Sequence, residues 1–156
     1  EGNNGMMIGV ISDTHSKISK QALKALQGSS FIFHAGDVGN PEVIQSLEEI
    51  APVYPVRGNT DRGMWAQSLP MTQMVEIEGK LFHVLHDIGG LNIDPKSAGV
   101  DAVIYGHTHV PKEERQKGVL YFNPGSAGPK RFRLPVCVGR IRITEGELAT
   151  EWIHLE

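Results

Sequence analysis

Seven side chains able to ligate a divalent cation stand in five short motifs along 156 residues: Asp13-x-His15, Gly36-Asp37, Gly58-Asn59, His86 and Gly106-His107-Thr108-His109. Together they offer enough oxygen and nitrogen for two ions. Two cations roughly 3.5–4 Å apart can clamp both the attacking and the departing oxygen of an in-line displacement, which is the chemistry of phosphoester cleavage. His107 and His109, two residues apart in an extended loop, reach points suited to such a pair. Each motif follows a short apolar run, so the ligands are expected on one rim of a sheet, where open α/β folds place their chemistry.

Taken singly, each motif is ordinary. Asp-x-His is common in turns, Gly-Asp is itself a turn, and a lone histidine is more often a hydrogen-bonded loop residue than a ligand. The joint occurrence at successive strand ends is what carries the reading. Asn59 matters electrostatically, because it supplies a neutral oxygen where another carboxylate would repel an anionic substrate. Two divalent ions carry four positive charges; Asp13 and Asp37 leave two, which a hydroxide and one diester anion bring near zero. Mixed imidazole and carboxylate donors suit manganese, iron, zinc, cobalt or nickel better than magnesium. Manganese stands foremost, and zinc, nickel, iron or cobalt are alternatives.

The elements that must position these residues are legible from periodicity. Met7–Ile11 reads as a buried strand, followed by a helical pattern through Ile18, Ala22, Leu23 and Leu26. Phe31–Phe33 is a second strand, Pro41–Ile50 a helix with Asn40 as its cap, and Val53–Val56 a third strand. That β-α-β-α-β order implies parallel strands with crossover helices. Thr72–Ile77 and Lys80–Leu85 alternate across Glu78-Gly79 as a hairpin. Four further strands are expected at 101–105, 119–122, 136–143 and 148–153, the last pair joined through Glu145-Gly146. The expected fold is α/β, two mixed sheets face to face with helices outside.

Bulk properties set the frame. The length fits one domain, at residues 6–156, which buries roughly two-thirds of its unfolded surface. With 40% hydrophobic and 21% charged residues, the composition is globular rather than disordered. A net charge of -3, with no basic or aromatic-rich extension, speaks against extended nucleic-acid binding, although nucleic acid stays open as a source of diester bonds. The single Cys137 forms no disulfide within the chain and reads as a buried thiol in a reducing compartment, so the expected location is cytoplasmic. No run is long enough to cross a bilayer, so no membrane partner is expected. Residues 1–5 read as a disordered leader or expression remnant before a start at Met6 or Met7.

The ordered set Asp-x-His, Gly-Asp, Gly-Asn, His and Gly-His-x-His resembles the calcineurin-like metallophosphoesterase superfamily, from about Met7 to the C-terminus. Val56-Arg57-Gly58-Asn59-Thr60-Asp61-Arg62 and Asn123-Pro124-Gly125-Ser126 are similar to its small bacterial and archaeal phosphodiesterase branch. The resemblance implies a four-layer αββα sandwich and a dinuclear centre. Asp13, His15, Asp37 and His109 would hold one metal; Asp37, Asn59, His86 and His107 would hold the other, with Asp37 as bridge. A hydroxide between the ions would attack phosphorus. Asp37, Asn59 and His86 are the residues on which catalysis would rest, and Asn123 would orient a ligand.

Two departures from the family pattern bear on substrate. Thr60 stands where many relatives place a histidine that protonates the leaving group, so good leaving groups should be favoured. Asp87 follows His86 where the family usually has glycine, adding a carboxylate that should repel a monoester dianion more than a diester monoanion. The expected partner is therefore a small phosphodiester, with a second copy of the chain left open. The rival readings are a protein-binding scaffold on the same fold, as in a retromer subunit, and a phosphomonoesterase. Among other polar residues, Arg57 and Arg62 are candidates to contact phosphate or pair with Asp61. His34 is a core histidine or a neighbour of the ligands, His83 faces away from His86, His154 is solvated, and Lys130, Arg131 and Arg133 form a basic cluster.

Overall fold

The computed structural model describes residues 5–131 and 133–155, so the expected leader at residues 1–5 lies outside the described residues except for Gly5. Two five-stranded mixed sheets pack face to face. The first contains β1 (Met6–Ile11), β2 (Phe31–His34), β3 (Val53–Pro55), β9 (Cys137–Thr144) and β10 (Glu147–His154), in the order β10-β9-β1-β2-β3. Strands β1, β2 and β3 are parallel, with Ile8 opposite Phe31 and Ile32 opposite Val53. The second sheet contains β4 (Thr72–Ile77), β5 (Lys80–Leu85), β6 (Ala102–Ile104), β7 (Lys112–Gln116) and β8 (Val119–Asn123), in the order β4-β5-β6-β8-β7. Here β5, β6 and β8 run parallel.

Alternating side chains of both sheets fill the space between them. Ile8, Val10, Phe33 and Ile141 meet Phe82, Val84, Ile104, Leu120 and Phe122, all fully buried. The Phe33 and Phe82 rings sit 5.3 Å apart. Burying each such side chain stabilises the fold by about 1.5–3 kcal/mol, which makes this interface the rigid base under the loops. On the outer face of the first sheet, Ile32 and Val138 pack against Ala22 and Leu26 near α1 (Lys20–Ala25) and against Val43 and Leu47 of α2 (Pro41–Glu48). On the outer face of the second, Leu85, Val103 and Tyr105 are covered by Ile88, Leu91 and Ile93, a segment holding one 3-10 turn, Ile88–Gly90.

Three details differ from expectation. The first helix starts only after Ile18, because Ser19 caps it by accepting a hydrogen bond from the Ala22 N–H at 3.0 Å. The second is capped by Asn40 as expected but ends at Glu48, before Ile50. Strand β7, Lys-Glu-Glu-Arg-Gln, is exposed along its whole length and has no apolar alternation to reveal it. Backbone pairing to β8 makes it a strand, Arg115 Nη2 ties it to β10 by donating to Leu148 O at 2.6 Å, and its charges protect a sheet edge from further pairing. Tight turns at Glu78-Gly79, Lys117-Gly118 and Glu145-Gly146 close the three hairpins, each with positive φ at both residues, as the twist of the flanking strands requires. Among the described residues, no helix is long and apolar enough to cross a membrane.

Candidate metal centre

The carboxyl ends of the two parallel triplets face the same rim, and all seven expected ligands lie on the loops that leave them. Backbone bonds lace those loops together. The Asp13 N–H donates to Gly36 O at 2.9 Å, the His15 N–H to Asp37 O at 3.0 Å, and the Gly106 N–H to His86 O at 2.9 Å. Close approach demands glycine at two of these points. A side chain at Gly58 would place its Cβ 2.1 Å from the Asp37 nitrogen, and one at Gly106 would place it 2.1 Å from Ser12 Oγ.

The first group gathers Asp13, His15 and His109, whose ligand atoms all lie within 4.8 Å of one another. Asp13 Oδ2 accepts from Ser12 Oγ at 2.7 Å and from the His107 N–H at 3.1 Å. Those bonds aim Oδ1 inward, 3.4 Å from His109 Nε2 and 3.9 Å from His15 Nε2. Asp13 Oδ1 and His15 Nε2 are buried without a hydrogen-bond partner. Buried polar atoms are seldom left so, and a cation between them would satisfy both. Burial lowers the His15 pKa despite the neighbouring Asp37 and Asp13 carboxylates, which keeps its imidazole neutral and able to ligate.

The second group is tighter. His86 Nε2 lies 2.9 Å from Asn59 Oδ1, 3.3 Å from His107 Nδ1 and 3.4 Å from Asp37 Oδ2, and His107 Nδ1 lies 3.2 Å from Asn59 Oδ1. An ion at about 2.1 Å from each of its ligands holds neighbouring ligand atoms about 3.0–3.4 Å apart. The set therefore fits one. His86 Nδ1 is 2.7 Å from the Ala35 carbonyl, which can only accept, so this nitrogen carries a proton, and with an ion bound Nε2 would turn its lone pair to it. Burial disfavours the charged form of His86, but the Asp37 hydrogen bond and the Ala35 carbonyl outweigh it and raise the pKa. Asp37 answers oppositely. Burial pushes its carboxyl up, yet hydrogen bonds from His86 and from the Thr60 N–H, at 2.9 Å, hold it far below the usual range. Asp37 Oδ2 is also 3.8 Å from His15 Nε2, so it stands between the two groups.

Five of these residues adopt the left-handed backbone region: Asp13 at φ 58°, His15 at 50°, Asp37 at 56°, His107 at 76° and His109 at 66°. Such conformations cost roughly 1–3 kcal/mol each for non-glycine residues and persist only where the surroundings over-determine them. Nothing in the local sequence announces them.

The remaining expected residues have distinct places. Asn123 is fully buried; its amide donates to Gly106 O and Thr108 Oγ1, both at 3.1 Å, and its Oδ1 accepts from the Gly125 N–H. It holds the loop that carries His107 and His109 through one backbone oxygen, of Gly106, and one side-chain oxygen, of Thr108. Asp61 does not turn to Arg57 or Arg62 for its contacts; its carboxylate accepts from the N–H groups of Val38, Gly39 and Gly58 and so joins the Asp37 loop to the Asn59 loop. Arg62 is exposed. Asp87 Oδ1 caps the 3-10 turn through the Gly89 N–H, while Oδ2 stands 3.8 Å from His107 Nε2.

His34 is fully buried, and its Nδ1 accepts from the Gly36 N–H, so Nε2 donates to Thr14 Oγ1, which donates onward to Val38 O. It buttresses the loops of Asp13 and Asp37 at once. His83 is buried on the face away from His86, His154 is exposed, and Lys130, Arg131 and Arg133 are exposed. Burial pushes the Cys137 thiol up to about 11, which makes it a poor nucleophile. Sequence reasoning missed Ser12 and Thr14 as supports, and it marked Ser126 only as part of the Asn123-Pro124-Gly125-Ser126 motif. Ser126 Oγ donates to Asp13 O, a contact across 113 residues that no local signal could reveal.

The family model for the calcineurin-like phosphoesterase superfamily domain matches residues 6–146. The chain belongs to that superfamily. A probable metallophosphoesterase of Methanothermobacter thermautotrophicus is 34% identical over 96% of this chain and 92% of its own length. The phosphodiesterase YfcE of Escherichia coli is 31% identical over 76% of each chain. A structure of Vps29 from Entamoeba histolytica complexed with zinc superposes with a TM-score of 0.73, covering 97% of this chain and all of the other; at 21% identity it shows a shared fold. As a calcineurin-like phosphoesterase, the chain presents the mixed two-sheet sandwich that its sequence implied.

Proposed function

We propose that this calcineurin-like phosphoesterase is a phosphodiesterase working with two divalent ions. Asp13, His15, Asp37 and His109 would hold one ion and Asp37, Asn59, His86 and His107 the other. The observation that carries the reading is the convergence of Asp37 Oδ2, Asn59 Oδ1, His86 Nε2 and His107 Nδ1 at ligand spacing, beside the orphaned Asp13 Oδ1 and His15 Nε2. When bound, the ions supply positive charge that polarises phosphoryl oxygens and lowers the pKa of water.

The chain's own residues do the rest. Asp37 joins the two groups, and the Thr60 N–H fixes its Oδ1 so that Oδ2 is shared. Asn59 contributes an uncharged oxygen, which leaves the centre able to accept an anion. Ala35 fixes the tautomer of His86. Thr60 offers no proton near neutrality, so leaving groups must depart as anions or take protons from water. The phosphodiesterase name of a relative at 31% identity supports the diester as substrate, as does the carboxylate of Asp87 facing the second group. The single buried Cys137 fits a cytoplasmic setting.

The test is reconstitution of metal-free protein with manganese, zinc or nickel, followed by assays on an aryl phosphodiester, an aryl monoester and a panel of cyclic nucleotides. Diester hydrolysis should exceed monoester hydrolysis and vanish in Asn59→Ala and His86→Ala. A wild-type protein that binds two ions and cleaves nothing would overturn the enzyme and favour a scaffold.

A further inference from the structure

A cavity of about 260 Å³ opens beside the second ligand group, with Asn59 and His86 of that group in its lining. Its walls include Arg57, Met71, Thr72 and Leu85, and Asp87 also borders it. Thr72 and Leu85 face each other at the end of the β4–β5 hairpin, so the cavity forms where that hairpin opens towards His86. Met71 is 61% exposed, a large apolar side chain turned to solvent beside a highly polar centre. An exposed apolar residue in such a place is the informative exception, and methionine moulds itself to the shape it meets.

We propose that this cavity seats the ester arm that remains on phosphorus, and that the arm is a neutral aryl group. The inference rests on the phosphodiesterase reading. Sharing Asn59 and His86 with the ligand group makes the cavity contiguous with the centre, within reach of an ester arm on a phosphorus held there. The size suits one ring with its linking oxygen, since a dry cavity of about 150 Å³ already holds benzene. The walls offer apolar contact from Met71 and Leu85 and a guanidinium that stacks on aromatic faces. Asp87 disfavours an arm carrying its own negative charge. A leaving group departs as an anion, which the Asp87 carboxylate at the cavity's border disfavours there, so the departing arm faces open solvent and the seated arm is the one retained.

The experiment compares diesters that share a p-nitrophenolate leaving group and differ in the retained arm, methyl or phenyl, on manganese-loaded protein. Wild type should favour phenyl over methyl in kcat/KM by at least about tenfold, chiefly through KM. Met71→Trp, which fills the mouth from an exposed position, should bring the ratio towards parity, and Met71→Ala should move the preference to a naphthyl arm. Metal binding by calorimetry should be the same in all three. Hydrolysis of both esters at equal efficiency by wild type, or a ratio untouched by either substitution, would overturn the cavity's role alone. Absence of hydrolysis with two ions bound would overturn the phosphodiesterase reading and the inference with it.

Discussion

Asp61 is the residue whose removal should most clearly separate a structural clasp from a ligand. Its Oδ2 accepts from the Gly58 N–H at 2.8 Å and the Val38 N–H at 3.2 Å, and its Oδ1 accepts from the Gly39 N–H at 2.8 Å. The side chain is 6% exposed, so water cannot replace it. Asp61→Asn preserves shape but exchanges one oxygen for an N–H₂ group. The orientation that keeps Oδ2 loses only the Gly39 bond, and hydrogen bonds to charged groups are worth about 1.5–3 kcal/mol. The expected cost is therefore about 2 kcal/mol, or roughly 4–8 °C in Tm for a chain of this size. Asp61→Ala strands all three donors and should cost about 4 kcal/mol or more, a large share of the 5–15 kcal/mol typical of a domain. Urea titration of the metal-free protein measures both. Because the clasp joins the Asp37 and Asn59 loops, manganese affinity at the second site should fall together with stability. An Asp61→Asn protein within 0.5 kcal/mol of wild type, by the ordinary scatter of surface substitutions, would refute the reasoning.

Other outcomes follow from the same geometry. Burial lowers the His34 pKa to about 4 from an unfolded value near 6.5, so the neutral ring stabilises the fold fully above that value. Stability of the metal-free protein should then drop by up to about 3 kcal/mol as pH falls from 6.5 to 4, and His34→Gln should flatten that segment of a urea-midpoint profile. The comparison subtracts the other shifted groups, His15, His83, His86 and Asp37, which both proteins carry. Asp87→Gly should raise kcat/KM for an aryl monoester relative to the matching diester, because the carboxylate facing His107 Nε2 is removed; an unchanged ratio would deny Asp87 any part in discrimination. With Thr60 in place of an acid, log kcat across substituted phenyl and alkyl diesters should fall steeply with leaving-group pKa, and a flat series would show that another group donates the proton.

The strands were readable because burial on both faces writes apolar runs into the sequence, as in Ile8 to Ile11 and Ala102 to Ile104. Two of the three hairpin turns, Glu78-Gly79 and Glu145-Gly146, were readable because only certain residue pairs close such turns easily. Strand β7 was not, since an edge strand held by backbone and polar side-chain bonds imposes no hydrophobic period on Lys112 to Gln116. Helix α1 was overread because the apolar spacing that includes Ile18 reports burial, whereas the helix start is set by the Ser19 cap.

At the proposed centre, residue type and order along the chain already named the candidate donor atoms: imidazole, carboxylate and amide groups stationed after successive strands. Their chemistry is intrinsic to each side chain and survives in a linear reading. What only the folded chain decides is aim. The tautomer of His86 is set by a carbonyl 51 residues away, the free oxygen of Asp13 by the His107 N–H 94 residues away, and the joining of two loops by Asp61. Orientation depends on contacts between distant segments and on backbone strain those contacts sustain, and neither leaves a mark on neighbouring residues in sequence.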